Sequence, residues 1–176
     1  MTLYTFPISL QSPSGLRVQI NSNASIKRID LHDILINLFL GTEVEGGPAN
    51  IYLRRYGTPM TVLPLLGPRS GATVCCLTDG MVVSAQWNDL RIRLTLTLAQ
   101  SAPAWFWHVA IEHAGSREVT VDLLYAQDVG LAHYGAVRLN EYYVSHYLDH
   151  TALQHPSAGV VVLRDRSLPW AATTHG

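Results

Sequence analysis

The stretch Leu90–Leu98 reads Leu-Arg-Ile-Arg-Leu-Thr-Leu-Thr-Leu, with an apolar residue at every second position and a polar residue between each pair. Alternation at period two places the apolar side chains on one face of an extended strand and the polar ones on the other. Such a strand is buried on one face only, which is typical of antiparallel sheets. This stretch therefore predicts a β-protein, and the rest of the chain is interpreted outward from it.

The same period recurs in short segments along the chain. Leu16–Ile20 and Val119–Leu123 alternate in the same way. Further extended segments are predicted at 72–77, 81–87, 104–111 and 159–163, with short hairpin turns at 78–80 and 87–89. Only Arg138–His150 favours a short helix. We predict an all-β fold, an antiparallel β-sandwich with at most one short helix, in a single domain over residues 1–176.

Composition restricts the partners of the chain. Twelve Lys and Arg against thirteen Asp and Glu give a net charge of -1, which provides no basic surface for nucleic acid or an anionic membrane. Charged residues make up 14% of the chain, against about 25% in ordinary globular proteins, so we expect a partner to cover part of the surface. Cys75 and Cys76 are adjacent and point to opposite faces of a strand, which predicts free thiols and a cytoplasmic setting. We predict neither a signal peptide nor a membrane span.

Two carboxylates in one short segment raise the question of glycoside chemistry. Glu43 and Glu45 would share a face of an extended chain, and glycoside hydrolysis needs a pair of carboxylates. We favour a charged turn before the Gly46-Gly47-Pro48 sequence instead. We likewise interpret residues 67–71 as an ordinary turn, because their glycines and proline explain the segment without a phosphate.

A metal site is the second chemical alternative. His146 and His150 have the spacing that places two imidazoles on one helix face, with His155 or Asp149 as the only available third ligand. No Glu follows the first His as in a zinc protease motif. We therefore predict no metal and no cofactor.

Aromatic residues suggest a saccharide surface. Sugar rings stack on aromatic planes while planar polar side chains bind their hydroxyl groups. Trp105 and Trp107 would share one strand face, although core packing is the more frequent role of such a pair. The predicted carbohydrate-binding residues are Asn50, Tyr52, Arg54, Arg55, Trp105, Trp107, Asn140, Glu141 and Tyr143.

Three segments carry a resemblance to a known family. They are Asp30–Arg55, which ends in Glu-Gly-Gly-Pro-Ala-Asn-Ile-Tyr-Leu-Arg-Arg, Gln127–Arg138 and Asn140–His150. They are similar to the N-terminal β-sandwich of glycoside hydrolase family ninety-four, formerly glycosyltransferase family thirty-six. That family contains cellobiose phosphorylase, 1,2-β-oligoglucan phosphorylase and the phosphorylase-like region of cyclic β-1,2-glucan synthase.

The resemblance implies a large sandwich of the galactose mutarotase type that is incomplete in this chain, followed in relatives by an (α/α) barrel that holds the general acid and the phosphate site. It also implies a homodimer and a β-glucan oligosaccharide as ligand. We therefore expect a carbohydrate-binding or scaffold domain of a glycoside phosphorylase or glucan synthase, not catalytic alone. The alternatives are a pure dimerisation module and a stand-alone mutarotase or epimerase. The latter would use His108, Glu112, His113 and Asp128.

Overall fold

The computed structural model describes residues 7–77, 80–155 and 158–165. Its strands are β1 (Ile8–Gln11), β2 (Leu16–Ile20), β3 (Ile26–Leu31), β4 (Ile34–Leu35), β5 (Ala49–Arg55), β6 (Thr61–Pro64), β7 (Thr73–Cys76), β8 (Gly80–Trp87), β9 (Leu90–Leu98), β10 (Trp105–His113), β11 (Val121–Gln127), β12 (Ala132–His133), β13 (Leu148–His155) and β14 (Ala158–Asp165). One α-helix, α1 (Tyr134–Val144), and a 3₁₀ turn (Ser145–Tyr147) interrupt them. The predicted all-β class is confirmed.

The strands form antiparallel sheets. One has the order β10-β9-β8-β7, a second β11-β5-β6, a third β1-β2-β3-β4-β12, and β13 pairs with β14. The alternation in β9 is confirmed, because its leucines are buried while Arg91 and Arg93 on the other face are exposed. The buried face of β9 belongs to one apolar core with Leu53 of β5 and Leu16 of β2. Burial of this common core is what holds the sheets together.

The predicted short helix is present, but the predicted bounds, Arg138–His150, are wrong. The helix begins at Tyr134, and Leu148 already belongs to β13, because residues 148–155 pair with 158–165. Among the helix residues whose side chains are described, Val137 and Val144 are buried and pack with Leu35, whereas Leu139 is 84% exposed. No helix in the described part of the chain is long and apolar enough to cross a membrane.

The turns fit the hairpin prediction where they are described. Trp87 pairs with Leu90, so residues 88–89 form a two-residue loop in which Asn88 has a φ of 54°. Asn tolerates this left-handed conformation better than most residues and is favoured in such turns. Two residues of the other predicted turn, Thr78 and Asp79, lie outside the described residues.

Candidate functional site: a groove beside Tyr52

A groove of about 570 Å³ lies on the outer side of the β5–β6 hairpin. Ile51 and Leu53 of β5 point into the core, so the alternating residues Asn50 and Tyr52 face the other way. Tyr52 is paired with Pro64 of β6, and both residues line the groove. The hairpin thus provides an aromatic ring and a proline as the floor.

Two loops form the wall of the groove, and glycine lets them approach each other. Gly46 and Gly67 have φ angles of +83° and +85°, a region that side-chain-bearing residues rarely adopt. A Cβ atom on Gly67 would lie 2.9 Å from the Cα of Gly46, so the two backbones are in contact. Their neighbours Glu45 and Arg69 are brought to the same groove by this contact.

Asn50 fixes the second loop to the sheet. Its Nδ2 donates to the carbonyl of Leu66 at 3.0 Å, and its Oδ1 accepts from the backbone N–H of Leu66 at 3.2 Å and of Ile51 at 2.8 Å. The residue is 8% exposed. Asn50 therefore acts mainly as a clamp that shapes the groove, with little of its amide left for a ligand.

The groove combines the groups that a saccharide requires. Tyr52 offers a half-buried ring, Arg69 an exposed guanidinium with no ion pair among the described residues, and Glu45 an exposed carboxylate. Oε2 of Glu45 accepts from Thr42 at 3.1 Å, which orients it and leaves the other oxygen free. Planar donors and acceptors beside an aromatic ring suit a neutral, hydroxyl-rich ligand. Glu45 and Arg69 also line the groove but are not among the predicted carbohydrate-binding residues. The Gly-Pro sequences at 47–48 and 67–68 mark the two loops that carry these residues, and they were the signal in the sequence from which the residues could have been found.

Arg54 lies on the outer face of β5 but is committed to an ion pair. Its Nε donates to Oδ1 of Asp122 at 2.8 Å, and the hydroxyl of Tyr56 donates to Oδ2 at 2.9 Å. The hydrogen bond from Arg54 lowers the pKa of Asp122 to about 2. This exposed cluster ties β5 to β11, so Arg54 supports the sheet rather than lining the groove.

Arg55 points to the other side of β5. Its Nη1 donates to Oδ1 of Asp89 at 2.7 Å, while Oδ2 of Asp89 lies 2.9 Å from Nε2 of His113. The hydrogen bond from His113, supported by Arg55, lowers the pKa of Asp89. Asp89 thus joins the β8–β9 turn to the ends of β5 and β10. This cluster is separate from the groove.

Trp105 and Trp107 lie on the inner face of β10 and pack against the main core, so the core interpretation is confirmed. Both are only partly buried. Burial raises the pKa of the Tyr125 hydroxyl on β11, and hydrogen bonds from Trp105 and Trp107 act in the opposite direction. Trp105 and Trp107 of β10 and Val121 of β11 pack against the same core, on the face of the sheet opposite Tyr52.

The remaining predicted binding residues belong to α1. Tyr143 is 66% exposed, and the side chains of Asn140 and Glu141 lie outside what the structure describes. Of the nine residues, the structure brings Asn50 and Tyr52 together in the groove and places Arg54, Arg55, Trp105, Trp107 and Tyr143 elsewhere.

The structure confirms the predicted charged turn at Glu43 and Glu45. Residues 43–45 form a turn rather than a strand, and Glu43 accepts hydrogen bonds from the backbone N–H and hydroxyl of Ser22. These bonds lower the pKa of Glu43. Its carboxylate caps a loop, whereas Glu45 lines the groove, so the two groups do not act as an acid–base pair.

The histidine pair does not share a helix face. His146 lies in the 3₁₀ turn and His150 in β13, so the helical geometry considered for the metal alternative does not occur. Within residues 7–77, 80–155 and 158–165, no group of three His, Cys, Asp or Glu side chains is placed to hold a metal ion.

The residues of the mutarotase alternative are spread over the sandwich. His108 and Glu112 are on the outer face of β10, whereas His113 is at its inner end beside Asp89. Asp128 follows β11 near Tyr125, at the Trp105 end of β10. The described geometry therefore gives this alternative no converging acid and base.

Comparison with known proteins agrees with the resemblance seen in the sequence. A 1,2-β-oligoglucan phosphorylase of Listeria innocua serovar 6a (strain ATCC BAA-680 / CLIP 11262) is 29% identical over 123 residues, which cover 69% of this chain and 11% of that relative. The chain thus spans about a ninth of the relative's length. The profile of the SOGP N-terminal domain matches residues 19–171, nearly the whole chain. The chain therefore belongs to the SOGP N-terminal domain family, an N-terminal domain of the type found in glycoside hydrolase family ninety-four.

Proposed function

We propose that this chain is the N-terminal scaffold of a β-glucan phosphorylase or a related cyclic glucan synthase, and that it offers the Tyr52 groove to a β-glucan chain. Catalysis is assigned to a barrel domain of the parent protein, and the scaffold works in a homodimer. The observation that carries the proposal is the groove itself, in a chain whose family is that of the oligoglucan phosphorylase N-terminal domain. We also propose a cytoplasmic setting, which the free thiols of Cys75 and Cys76 support.

The expected affinity is weak. The groove is open to solvent on one side and has one aromatic ring, so it buries a small part of a sugar chain. Open sites of this kind lack the enclosure that gives drug-like pockets their affinity. We expect millimolar dissociation constants for short β-linked glucans, which is enough to retain a polymer beside a catalytic domain.

Isothermal titration calorimetry on the 176-residue chain tests the groove. Sophorose-type and cello-oligosaccharides serve as ligands, and maltose serves as the control of opposite anomeric configuration. Tyr52→Ala is expected to weaken binding roughly tenfold through the lost ring, and Tyr52→Phe to keep it. Arg69→Ala is expected to weaken binding as well. Arg117→Ala is the matched control, because Arg117 is exposed in the loop between β10 and β11, outside the groove.

Sugar binding by the groove and the scaffold role can be refuted independently of each other. Absence of heat with every β-glucan at high concentration contradicts the groove, as does equal binding by the Tyr52→Ala variant. The sequence encoded directly after residue 176 tests the scaffold. A reading frame that continues into helical repeats supports it, and a stop codon contradicts it.

A further inference from the structure

A row of side chains on the outer face of β5 continues beyond one end of the Tyr52 groove. Tyr52 and Arg54 alternate with the core-facing residues of β5, and hydrogen bonds from Tyr56 to its neighbours place it on the same face. Val62 of β6 lines the groove and is paired with Arg54. Arg54 therefore borders the groove without being part of its lining. We call Arg54, Asp122 and Tyr56 together the Arg54 strip.

The three side chains of the Arg54 strip hold one another in place. Both Nε and Nη2 of Arg54 donate to the Asp122 carboxylate, the first at 2.8 Å. Nη2 also donates to the hydroxyl of Tyr56 at 3.2 Å, and that hydroxyl donates to Asp122 at 2.9 Å. A bidentate pair of this kind fixes the orientation of both groups. A ligand that contacts the strip therefore has few further side chains to order, which lowers the cost of binding.

The strip keeps hydrogen-bonding groups for a ligand. Within the described residues, Nη1 of Arg54 has no partner and Oδ1 of Asp122 accepts only from Nε. The two side chains are 31% and 37% exposed, so solvent reaches both. One hydroxyl group of a sugar can accept from Nη1 while a neighbouring hydroxyl group donates to Oδ1. Because the opposite charges of the pair compensate each other, the strip suits a neutral, hydroxyl-rich ligand better than an anion.

Apolar surface accompanies these polar groups, and the strip is too far from Tyr52 for one sugar ring to contact both. Tyr56 and Val62 are each 48% exposed, so an aromatic ring and a branched side chain are available for packing. Tyr52 and Tyr56 are four residues apart along an extended segment, which separates their Cα atoms by about 13 Å. That distance exceeds the width of a single pyranose ring. A chain of several sugar units can contact both tyrosines, with the Arg54–Asp122 pair between them.

We infer that the Arg54 strip is a second sugar subsite, which binds the units of a β-linked glucan that follow the unit on Tyr52. The ligand of the groove is then an oligosaccharide chain that runs along β5, and the site selects longer chains over disaccharides. This inference rests on the proposed function and deepens it. Arg54 and Asp122 have two roles in it: they join β5 to β11, and they provide a donor and an acceptor for sugar hydroxyl groups.

Calorimetric titration of the 176-residue chain with a β-linked disaccharide and the tetrasaccharide of the same linkage tests this inference. We expect the tetrasaccharide to bind about tenfold more tightly. Tyr56→Ala is expected to lose most of this gain and to bind the disaccharide as the parent chain does, which also shows that the groove is intact. Arg54→Lys keeps a positive charge beside Asp122 but removes the Nη1 donors, and it is expected to lose the gain as well. The matched control is Phe106→Ala, because Phe106 is 58% exposed on β10, in a different sheet.

Several outcomes overturn the inference and leave the Tyr52 groove standing. One is equal affinity of the parent chain for the two sugars. Another is a gain that persists in either the Tyr56→Ala or the Arg54→Lys chain, because it then reflects only the larger number of positions in which a longer sugar can bind. A Tyr56→Ala chain that also loses the disaccharide overturns it too, since Tyr56 then supports the groove instead of a separate subsite. If the parent chain binds neither sugar, the proposed groove and the second subsite are refuted together.

Discussion

Asp128 makes folding stability depend on pH in the direction opposite to most carboxylates. Its Oδ2 accepts from the backbone N–H groups of Leu38 and Phe39 at 3.1 and 3.2 Å. Its Oδ1 is buried and has no hydrogen-bond partner in the described residues. Burial outweighs the two hydrogen bonds and raises the pKa of Asp128 from 3.8 to about 6. The folded chain therefore holds this proton more tightly than the unfolded chain does.

The size of the effect follows from that pKa difference. One pH unit corresponds to about 1.4 kcal/mol, so a change from 3.8 to about 6 gives an upper bound of about 3 kcal/mol. The contribution is fully present below about pH 4, where the side chain is protonated in both states, and is lost as the pH rises through about 6. At neutral pH the ionised side chain therefore destabilises the fold.

Asp128→Asn removes the charge and keeps an oxygen to accept from Leu38 and Phe39. The new amide nitrogen lacks an acceptor, which costs about 1 kcal/mol at every pH. We expect the free energy of unfolding of the variant, minus that of the parent chain, to increase by about 2–3 kcal/mol between about pH 4 and pH 7. Urea unfolding followed by tryptophan fluorescence measures it. The matched control is Asp122→Asn. Arg54 lowers the pKa of the Asp122 carboxyl, so the free energy of unfolding of this variant, minus that of the parent chain, should decrease from about pH 2 to pH 4. A difference for Asp128→Asn that stays constant with pH refutes the reasoning.

Three further substitutions test the contacts that hold the fold. Asp30→Ala should cost about 3 kcal/mol in urea unfolding, because the fully buried carboxylate pairs with both Arg17 and Arg28, and a measured loss under 1 kcal/mol would contradict this role. Asn37→Ala should cost about 2 kcal/mol, because the buried Oδ1 accepts from the N–H of Ile29 at 2.7 Å, and Asn37→Asp should not restore the loss, because Nδ2 donates to the carbonyl of Phe39 and a buried carboxylate oxygen cannot. Gly67→Ala should lower thermal stability by about 1–3 kcal/mol through its positive φ and the contact with Gly46, while Gly135→Ala, which meets open space in α1, should leave it unchanged or higher.

The β-strands could be predicted from the sequence because the alternation of apolar and polar residues is a local pattern. Leu90–Leu98 carries both the period and the buried face of β9, and no distant residue is needed to recognise it. The helix was misplaced because that signal is not local. Val137 and Val144 are buried only since Leu35 of β4 lies against them, and Leu148 is drawn into a strand by its pairing with Asp165.

The groove was predictable only in part for the same reason. Asn50 and Tyr52 were predicted from the chemistry of aromatic and planar polar side chains. Glu45 and Arg69 come from loops about twenty residues apart, and only the contact between Gly46 and Gly67 brings them to one place. Arg54 and Arg55 were assigned to sugar binding, whereas the structure pairs them with Asp122 and Asp89, partners far away in sequence.

The contact between Gly46 and Gly67 fixes the distance between the two loops that form the wall of the groove. Side chains adjust to a ligand by changing rotamer, but two touching backbones cannot close further and have no side chain to withdraw. The spacing of the two loop backbones that carry Glu45 and Arg69 is thus fixed. Under the proposed function, this spacing is what the hydroxyl groups of a glucan have to match. Substitutions at Gly46 or Gly67 would then alter glucan selectivity through the width of the groove.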